Sequence, residues 1–328
     1  MRLRRVKIGD QIVAQMQSDA GWKRLTGVAE VEKFLSKDDR KGAPHDLLPY
    51  LELSVDARAE IALLAAQLPD AAADEGRPLL PVIPRSLRDF VLHEKHVINA
   101  SRGMVRRLMP GVFPLTWAFE RITGLPFPKF KPHKLWYKQP IYYLSNHLNV
   151  VTDGDEMPWP KYTELLDYEL ELAAILARPL RNASTEEAAS AIGGFVVLND
   201  FSARDVQIDE MQSGFGPQKA KHFCSAISAE IVTADEVLEK LEHLTGTISC
   251  NGKEVASVAN KGGRFTLPEA IAFASRSENL IPGEVFASGT WPNGAGIENG
   301  ALVAPGDQLK LSINGIGELT NIVGKKEV

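Results

Sequence analysis

Two glutamates, Glu169 and Glu171, alternate with apolar residues in segment 167–173 (DYELELA), and no other feature constrains the fold as much. This period of two predicts a β-strand that carries both carboxylates on one face. On a solvated strand face the glutamates would have no further meaning. The apolar residues that continue to Leu176 instead predict a strand that is covered on both faces. Two buried carboxylates repel each other and one is driven to protonate, a conflict that a divalent cation with oxygen ligands resolves.

A third carboxylate, Asp200, follows the apolar run Phe195–Leu198 at the predicted end of another buried strand. An aspartate in this position also caps turns and helices, so both interpretations stay open. If Asp200 faces the same cavity as the glutamates, then Arg204 and Gln207, one helical turn later, face it too.

Short strands outnumber helices in the rest of the chain. Strands are predicted at 3–8, 11–16, 195–198, 247–250 and 308–313, and helices at 54–67, 185–191, 235–244 and 268–275. Strands and helices do not alternate as in a doubly wound fold, so we predict an α+β chain dominated by mixed sheet. An acidic loop at 70–75 and three prolines up to Pro84 interrupt regular structure. We therefore predict a small N-terminal domain with its linker at 1–86 and a larger domain at 87–328.

Composition excludes several classes of function. The 328 residues carry a formal net charge of -5 with no basic cluster, which argues against a nucleic-acid partner. The basic start, Met1–Arg5, is not followed by the apolar segment of a signal peptide, and no apolar run is long enough to span a bilayer. Two cysteines make neither a disulfide framework nor a structural zinc site. We expect a cytoplasmic, reduced protein with no membrane or nucleic-acid partner.

Five motifs in order resemble the fumarylacetoacetate hydrolase family. They are DYELE at 167–171, NDFSARDVQ at 199–207, Lys221 within AKHF, PGE at 282–284 and ASGT at 287–290. The resemblance covers roughly residues 86 to 325. It implies a mixed β-roll of that family's C-terminal domain type, a small N-terminal α/β domain and a homodimer.

The resemblance also implies a set of site residues. The metal ligands would be Asp89, Glu169, Glu171 and Asp200, and they would hold one divalent cation, Mg²⁺ or Ca²⁺, with Mn²⁺ as a third candidate. Residues that contact substrate would be Tyr137, Arg204, Gln207, Lys221 and Thr290. Lys221 would in addition stabilise an oxyanion, although a lysine taken alone is more often a surface charge.

The segment 88–97 (RDFVLHEKHV) separates hydrolysis from other reactions. Taken alone it predicts a helix with two histidines, and such histidines are more often structural. In fumarylacetoacetases the similar segment supplies an acidic ligand and, seven residues later, a catalytic histidine. Asp89 and His96 have this spacing, whereas His93 matches no functional position. Glu298, eight residues beyond Thr290, is the candidate partner that orients His96.

The expected activity is therefore metal-dependent hydrolysis of a C–C bond in a β-diketone or acylpyruvate-type substrate. Val91 and Met211 stand where fumarylacetoacetases carry tyrosines that contact substrate, whereas Tyr137 matches a third tyrosine. The two lost hydroxyls predict a smaller or more apolar acyl group. One alternative is a β-keto acid decarboxylase or keto–enol isomerase of the oxaloacetate type, which needs no water-activating histidine. Another is a non-catalytic scaffold stabilised by a metal ion. No glycine-rich fingerprint supports a dinucleotide site.

Overall fold

The computed structural model describes residues 1–35, 46–71 and 76–328. Its strands are β1 (Arg2–Ile8), β2 (Gln11–Ser18), β3 (Gly21–Arg24), β4 (Arg77–Leu79), β5 (Ser86–Phe90), β6 (Tyr142–Ser145), β7 (Val150–Val151), β8 (Glu156–Trp159), β9 (Leu166–Asp167), β10 (Leu170–Leu176), β11 (Ile192–Asn199), β12 (Ser202–Ala203), β13 (Ser225–Ile227), β14 (Glu230–Thr233), β15 (Thr245–Cys250), β16 (Lys253–Ala259), β17 (Glu284–Ala287), β18 (Gln308–Ile313) and β19 (Gly317–Lys326). Most of the predicted acidic loop, residues 72–75, lies outside the described part of the chain.

The described residues form more helices than the sequence predicted, and the helix predicted at 185–191 has those bounds. They are α1 (Ala29–Glu32), α2 (Leu48–Leu51), α3 (Val55–Leu63), α4 (Glu94–Leu108), α5 (Phe113–Thr123), α6 (Thr185–Ala191), α7 (Arg204–Gln212), α8 (Leu267–Ala274) and α9 (Gly296–Asn299). In the described part of the chain, 3₁₀ helices lie at Pro128–Phe130, Ala234–Glu236 and Leu238–His243. Among the described residues, none of these helices combines the length and apolar character required to cross a bilayer.

Two large mixed sheets confirm the predicted α+β class. The larger runs in the order β3-β2-β1-β14-β11-β10-β17-β5-β6, and β4, β13 and β7 join it at the side. The smaller has the order β16-β15-β18-β19-β8, and β12 pairs with β9 in a short ladder. Because β1 pairs with β14, the N-terminal strands extend the same sheet that contains β10 and β11. The domain boundary near residue 86 stays a prediction.

The centre of the large sheet is covered on both faces, as the run after Glu171 predicted. Every residue of β10 and β11 is buried. On one face, Leu170 and Leu172 join a core shared with the five-stranded sheet. On the other, Ala173 and Ile175 join a core shared with β1, β2 and the helices α1 to α3. The odd-numbered positions of β10 therefore face the N-terminal segment, and Glu171 is one of them.

Four local predictions need correction. Segment 88–97 is not one helix, because β5 pairs on both sides and ends at Phe90 before α4 begins at Glu94. The single strand predicted at 167–173 is two, β9 and β10, interrupted where the backbone of Glu169 turns to bond Asn199 Oδ1. The helix predicted at 235–244 forms as two 3₁₀ segments. The helix capped by Ser54 ends at Leu63 instead of Gln67.

Candidate active site

Neighbouring strands bring three carboxylates to one place in the core. Asp89 lies on β5, Glu171 on β10, and Asp200 directly follows β11. The ladder register supports this, because Ala287 of β17 lies opposite both Asp89 and Ala173. Ligand oxygens of Asp89, Glu171 and Asp200 all lie within 4.8 Å of one another, and all three side chains are buried. We call these three residues the acidic triad.

Fixed donors hold the acidic triad. The Glu171 carboxylate accepts the Gly289 N–H at 3.0 Å and the Thr290 hydroxyl at 3.2 Å. The Tyr143 hydroxyl lies 2.6 Å from Asp200 Oδ2 and 3.1 Å from Asp89 Oδ2. Thr290, predicted from the sequence to contact substrate, therefore contacts the triad through Glu171.

The electrostatics of the triad fit a divalent cation. Burial, followed by repulsion from Asp200, raises the pKa of Asp89 well above its usual range, and burial with repulsion from Asp89 does the same for Glu171. Burial also raises the pKa of Asp200, against the opposing charge of Lys221. Asp200 Oδ1 is buried and has no hydrogen-bond partner among the described residues. Three oxygen donors with an unpartnered carboxylate oxygen are the chemistry that Mg²⁺, Ca²⁺ and Mn²⁺ prefer.

Glu169, the fourth predicted ligand, has a different environment. Its Oε1 accepts Arg204 Nη2 at 2.7 Å, and its Oε2 accepts Lys221 Nζ at 2.5 Å. Burial would raise the pKa of Glu169, but the charges of Lys221 and Arg204 outweigh it and lower the pKa. Glu169 lies beside the acidic triad and is already neutralised by side chains of the protein.

Lys221 and Arg204 are internal cations of this site. The Lys221 ammonium bridges Glu169 and Asp200, is 3% exposed, and its pKa is raised by these two carboxylates although burial lowers it. Arg204 also binds Asp167 through Nε at 2.7 Å, and Gln207 through Nη1 at 2.9 Å. Gln207 thus reaches the site through Arg204.

His96 and Glu298 form a hydrogen-bonded pair next to Glu169. His96 Nδ1 lies 2.9 Å from Glu298 Oε2, and His96 Nε2 lies 3.7 Å from Glu169 Oε1. Because a carboxylate only accepts, Nδ1 carries a hydrogen, and in the neutral ring the lone pair is therefore on Nε2. Burial lowers the pKa of His96, but the charge and hydrogen bond of Glu298 outweigh it and raise the pKa. The pair has the arrangement of an oriented general base.

One predicted substrate residue, Tyr137, bonds a partner outside the triad, and His93 matched no functional position in the sequence. The Tyr137 hydroxyl donates to Glu94. His93 precedes α4 as its N-cap residue and lies in the core. Val91 and Met211 carry no hydroxyl, and Met211 is exposed on α7.

Sequence reasoning missed Tyr143, the tyrosine that does contact the acids. It lies directly opposite Asp89 in the antiparallel pairing of β5 with β6. Only this register, across 54 residues of sequence, brings the two side chains together. The tandem tyrosines at 142 and 143 were the available signal.

The profile of the fumarylacetoacetate hydrolase C-terminal domain matches residues 128–324. A fumarylacetoacetate hydrolase domain-containing protein 2 homolog of Dictyostelium discoideum is 27% identical over 196 residues, which are 57% of this chain and 64% of that protein. The mitochondrial oxaloacetate tautomerase of Homo sapiens is 25% identical over 189 residues, 58% of this chain and 83% of that protein. A solved fumarylacetoacetate hydrolase from Exiguobacterium antarcticum superposes with a TM-score of 0.67 at 21% identity, covering 99% of each chain, and shares the fold.

Proposed function

Because the chain belongs to the fumarylacetoacetate hydrolase family, we propose that it hydrolyses a C–C bond beside a keto group in a β-diketone or acylpyruvate-type substrate. One observation carries the proposal. His96, oriented by Glu298 at 2.9 Å, presents Nε2 next to the carboxylate cluster, 3.7 Å from Glu169 Oε1. A reaction that only moves a proton on an enol needs no activated water, whereas hydrolysis does.

The acidic triad would hold one divalent cation through Asp89, Glu171 and Asp200, and Glu169 would complete the set if Lys221 moved away from it. When bound, the cation supplies a Lewis acid that polarises a keto oxygen and stabilises an enolate. Tyr143, Thr290 and Gly289 keep the three carboxylates in place for it.

His96 would act as the general base. Its Nε2 takes a proton from water as the water oxygen bonds to the keto carbon, which becomes tetrahedral. Lys221, released from one carboxylate, would stabilise the oxyanion, and Arg204 would fix Glu169 beside it. Collapse breaks the C–C bond, its electron pair leaves with the enolate carbon, and protonated His96 returns the proton to that carbon. The products are a carboxylic acid and a ketone.

The acyl group is proposed to be small or apolar. Val91 and Met211 offer no hydroxyl to a distal carboxylate, and Tyr137 bonds Glu94 instead of facing the triad. A site that lacks these donors gains little from a second charged group on the substrate. Acylpyruvates with alkyl tails should therefore be better substrates than fumarylacetoacetate.

The test is a substrate panel with and without chelator. Acylpyruvates of increasing tail length, fumarylacetoacetate and oxaloacetate are incubated with Mg²⁺, Ca²⁺, Mn²⁺ or EDTA, and the products are separated and identified. The proposal expects two fragments from at least one diketone, only in the presence of cation. If no diketone is cleaved under any of these conditions, the hydrolase proposal is wrong.

The second candidate is a keto–enol isomerase or decarboxylase of the oxaloacetate type. The 25% identity to the human oxaloacetate tautomerase favours it, and Tyr143 and Lys221 are donors that could serve an enolate. The same panel separates the candidates. Isomerisation changes the enol absorbance of oxaloacetate without cleavage, and decarboxylation releases CO₂.

The homodimer and the cytoplasmic location expected from the sequence belong to this proposal as well. Light scattering of the purified protein tests the first, and fluorescence microscopy of a tagged chain tests the second.

A further inference from the structure

Asp167 is a buried carboxylate that the proposed reaction does not use directly. It is 0% exposed and has three donors. Its Oδ2 accepts Arg204 Nε at 2.7 Å and the Ile297 N–H at 3.0 Å, and its Oδ1 accepts the Tyr168 N–H at 2.9 Å. The carboxylate therefore joins α7, which begins at Arg204, to the short helix α9.

Asp167 contacts α9 at the two residues that precede Glu298. Ile297 directly precedes Glu298 within this four-residue helix. A Cβ added to Gly296 would lie 2.4 Å from Asp167 Oδ1, so the backbone of α9 rests against the carboxylate itself. The position of Glu298, and through it the orientation of the His96 ring, depends on where this backbone lies.

The contact of Asp167 with Arg204 is connected to the Nε2 side of His96. Arg204 donates to Glu169 Oε1 at 2.7 Å, and that oxygen lies 3.7 Å from His96 Nε2. Asp167 thus bonds the backbone of α9, which carries the Glu298 that bonds His96 Nδ1. Through Arg204, Asp167 is also connected to the Glu169 carboxylate that faces His96 Nε2.

We propose that Asp167 is a positioning residue for the general base, acting through α9 and Glu298 on His96. It touches neither substrate nor the reacting atoms. Its two oxygens accept three N–H donors, and an amide of the same size cannot satisfy all three, because its nitrogen must face either the Tyr168 N–H or the two donors from Arg204 and Ile297. The kinetic part rests on the proposed function, whereas the structural part stands alone.

The kinetic test compares Asp167→Asn with Asp153→Asn. Asp153 is a matched control, since it too accepts two backbone N–H groups, from Ala229 at 2.7 Å and Thr320 at 2.9 Å, and lies outside the site. Asp167→Asn should lower kcat by about 10²-fold and change KM by less than about threefold, as a misplaced catalytic group does. Asp153→Asn should leave kcat near that of the wild type. Equal kcat in both variants, or a loss confined to KM, would overturn the proposal.

A double-mutant cycle identifies the route of action. If Asp167 acts through Glu298, Asp167→Asn should cost little more in a Glu298→Gln background, within about twofold. If the fold-losses in kcat of the two single variants multiply in the double variant, Asp167 acts independently of Glu298 and the proposal is wrong.

Nuclear magnetic resonance tests the structural part without turnover. In the wild type, the Nδ1 proton of His96 and the amide proton of Ile297 should both resonate downfield, as protons bonded to carboxylates do. Asp167→Asn should shift both, and Asp153→Asn neither. A wild-type Ile297 amide without a carboxylate hydrogen bond would overturn the proposal, even if Asp167→Asn fails to fold. If no substrate of the panel is cleaved, the proposed function fails, and these spectra still decide the role of Asp167.

Discussion

Gly103 of α4 touches the backbone of Ile297 in α9, so closely that a Cβ on Gly103 would lie 2.0 Å from the Ile297 carbonyl oxygen. Helix α4 carries His96, and the residue after Ile297 is Glu298. The 2.9 Å bond between the His96 and Glu298 side chains therefore depends on a glycine on the same face of α4, two turns after His96. Packing of two helix backbones sets the geometry of the proposed base.

Gly103→Ala tests this dependence. In an exposed helix interior the change stabilises by about 1 kcal/mol, but here the methyl must push α4 from α9, which costs about 1–3 kcal/mol. We expect a lower Tm and a loss of about 10²-fold in kcat. Ser101→Ala, on the same helix, is the control and should change neither. A Gly103→Ala variant with raised Tm and full activity would contradict the described packing.

His96→Ala should remove the general base and lower turnover by about 10²–10⁴-fold. The acidic triad does not include His96, so cation affinity measured by calorimetry should stay within a few-fold of the wild type. Glu298→Gln should give a smaller loss, because the ring keeps a hydrogen-bond partner without the charge. Near-normal turnover of the best substrate by His96→Ala would exclude the proposed mechanism.

Glu171→Gln should weaken cation binding by at least about tenfold, because it removes one of three anionic ligands. Without cation the same change relieves the repulsion among Glu171, Asp89 and Asp200, so the Tm of the chelated protein should not fall. Glu164→Gln, at an exposed carboxylate, is the control. Calorimetry and thermal melts in EDTA measure both effects, and unchanged cation affinity would exclude the triad as the site.

The contribution of the acidic triad to the stability of the chelated protein should fall as pH rises. Asp89 and Glu171 have folded-state pKa values above those of the unfolded chain, so between the two values the folded state binds more protons. Their contribution is fully present below about pH 4 and is lost as pH rises through the folded pKa values. Added Mg²⁺ or Ca²⁺ should reverse the loss. The measurement is Tm as a function of pH, in EDTA and in added cation, for the wild type and for Glu171→Gln. The difference in Tm between the two proteins isolates the contribution of the triad. If this difference increases with pH in EDTA, the prediction is wrong.

His93 should show the opposite pH dependence. Burial, and then the nearby His96, lower the pKa of His93 to about 4, with the Asn260 side chain acting in the other direction. The unfolded chain therefore binds the extra proton first, and stability falls as pH drops from about 6.5 to about 4, by up to about 3 kcal/mol. His93→Gln should remove this part of the acid sensitivity, and His133→Gln, at an exposed histidine, should not. Denaturant unfolding at a series of pH values measures the difference.

The large-scale pattern was readable in the sequence because it depends on local alternation and apolar runs. The α+β class and the double burial of β10 follow from short apolar runs bounded by turns. The segment at 88–97 was harder, since the helical period that begins at Glu94 hides the strand before it. That strand exists because β17 and β6 pair with β5, and no window of ten residues contains this information.

For the site as well, the local sequence pattern predicted some features, and long-range contacts determined the others. Glu169 and Glu171 are equivalent in the alternating pattern of the sequence. Glu171, however, contacts Gly289 and Thr290, whereas Glu169 contacts Arg204 and Lys221. Arg204 and Lys221 lie 35 and 52 residues from Glu169 in the sequence, so the spacing of the two glutamates cannot distinguish their roles. Tyr143 escaped detection for the same reason, since its contact with Asp89 is a matter of strand register.

The location of Glu171 in a strand buried on both faces has a consequence for how such a protein diversifies. A substitution that changes the volume of this side chain disturbs the packing of the core as well as a candidate ligand, so it has two separate costs. Positions such as Met211, exposed on α7, can change without that penalty. New substrates should therefore arise through exposed positions of this kind, while the buried carboxylates stay nearly fixed.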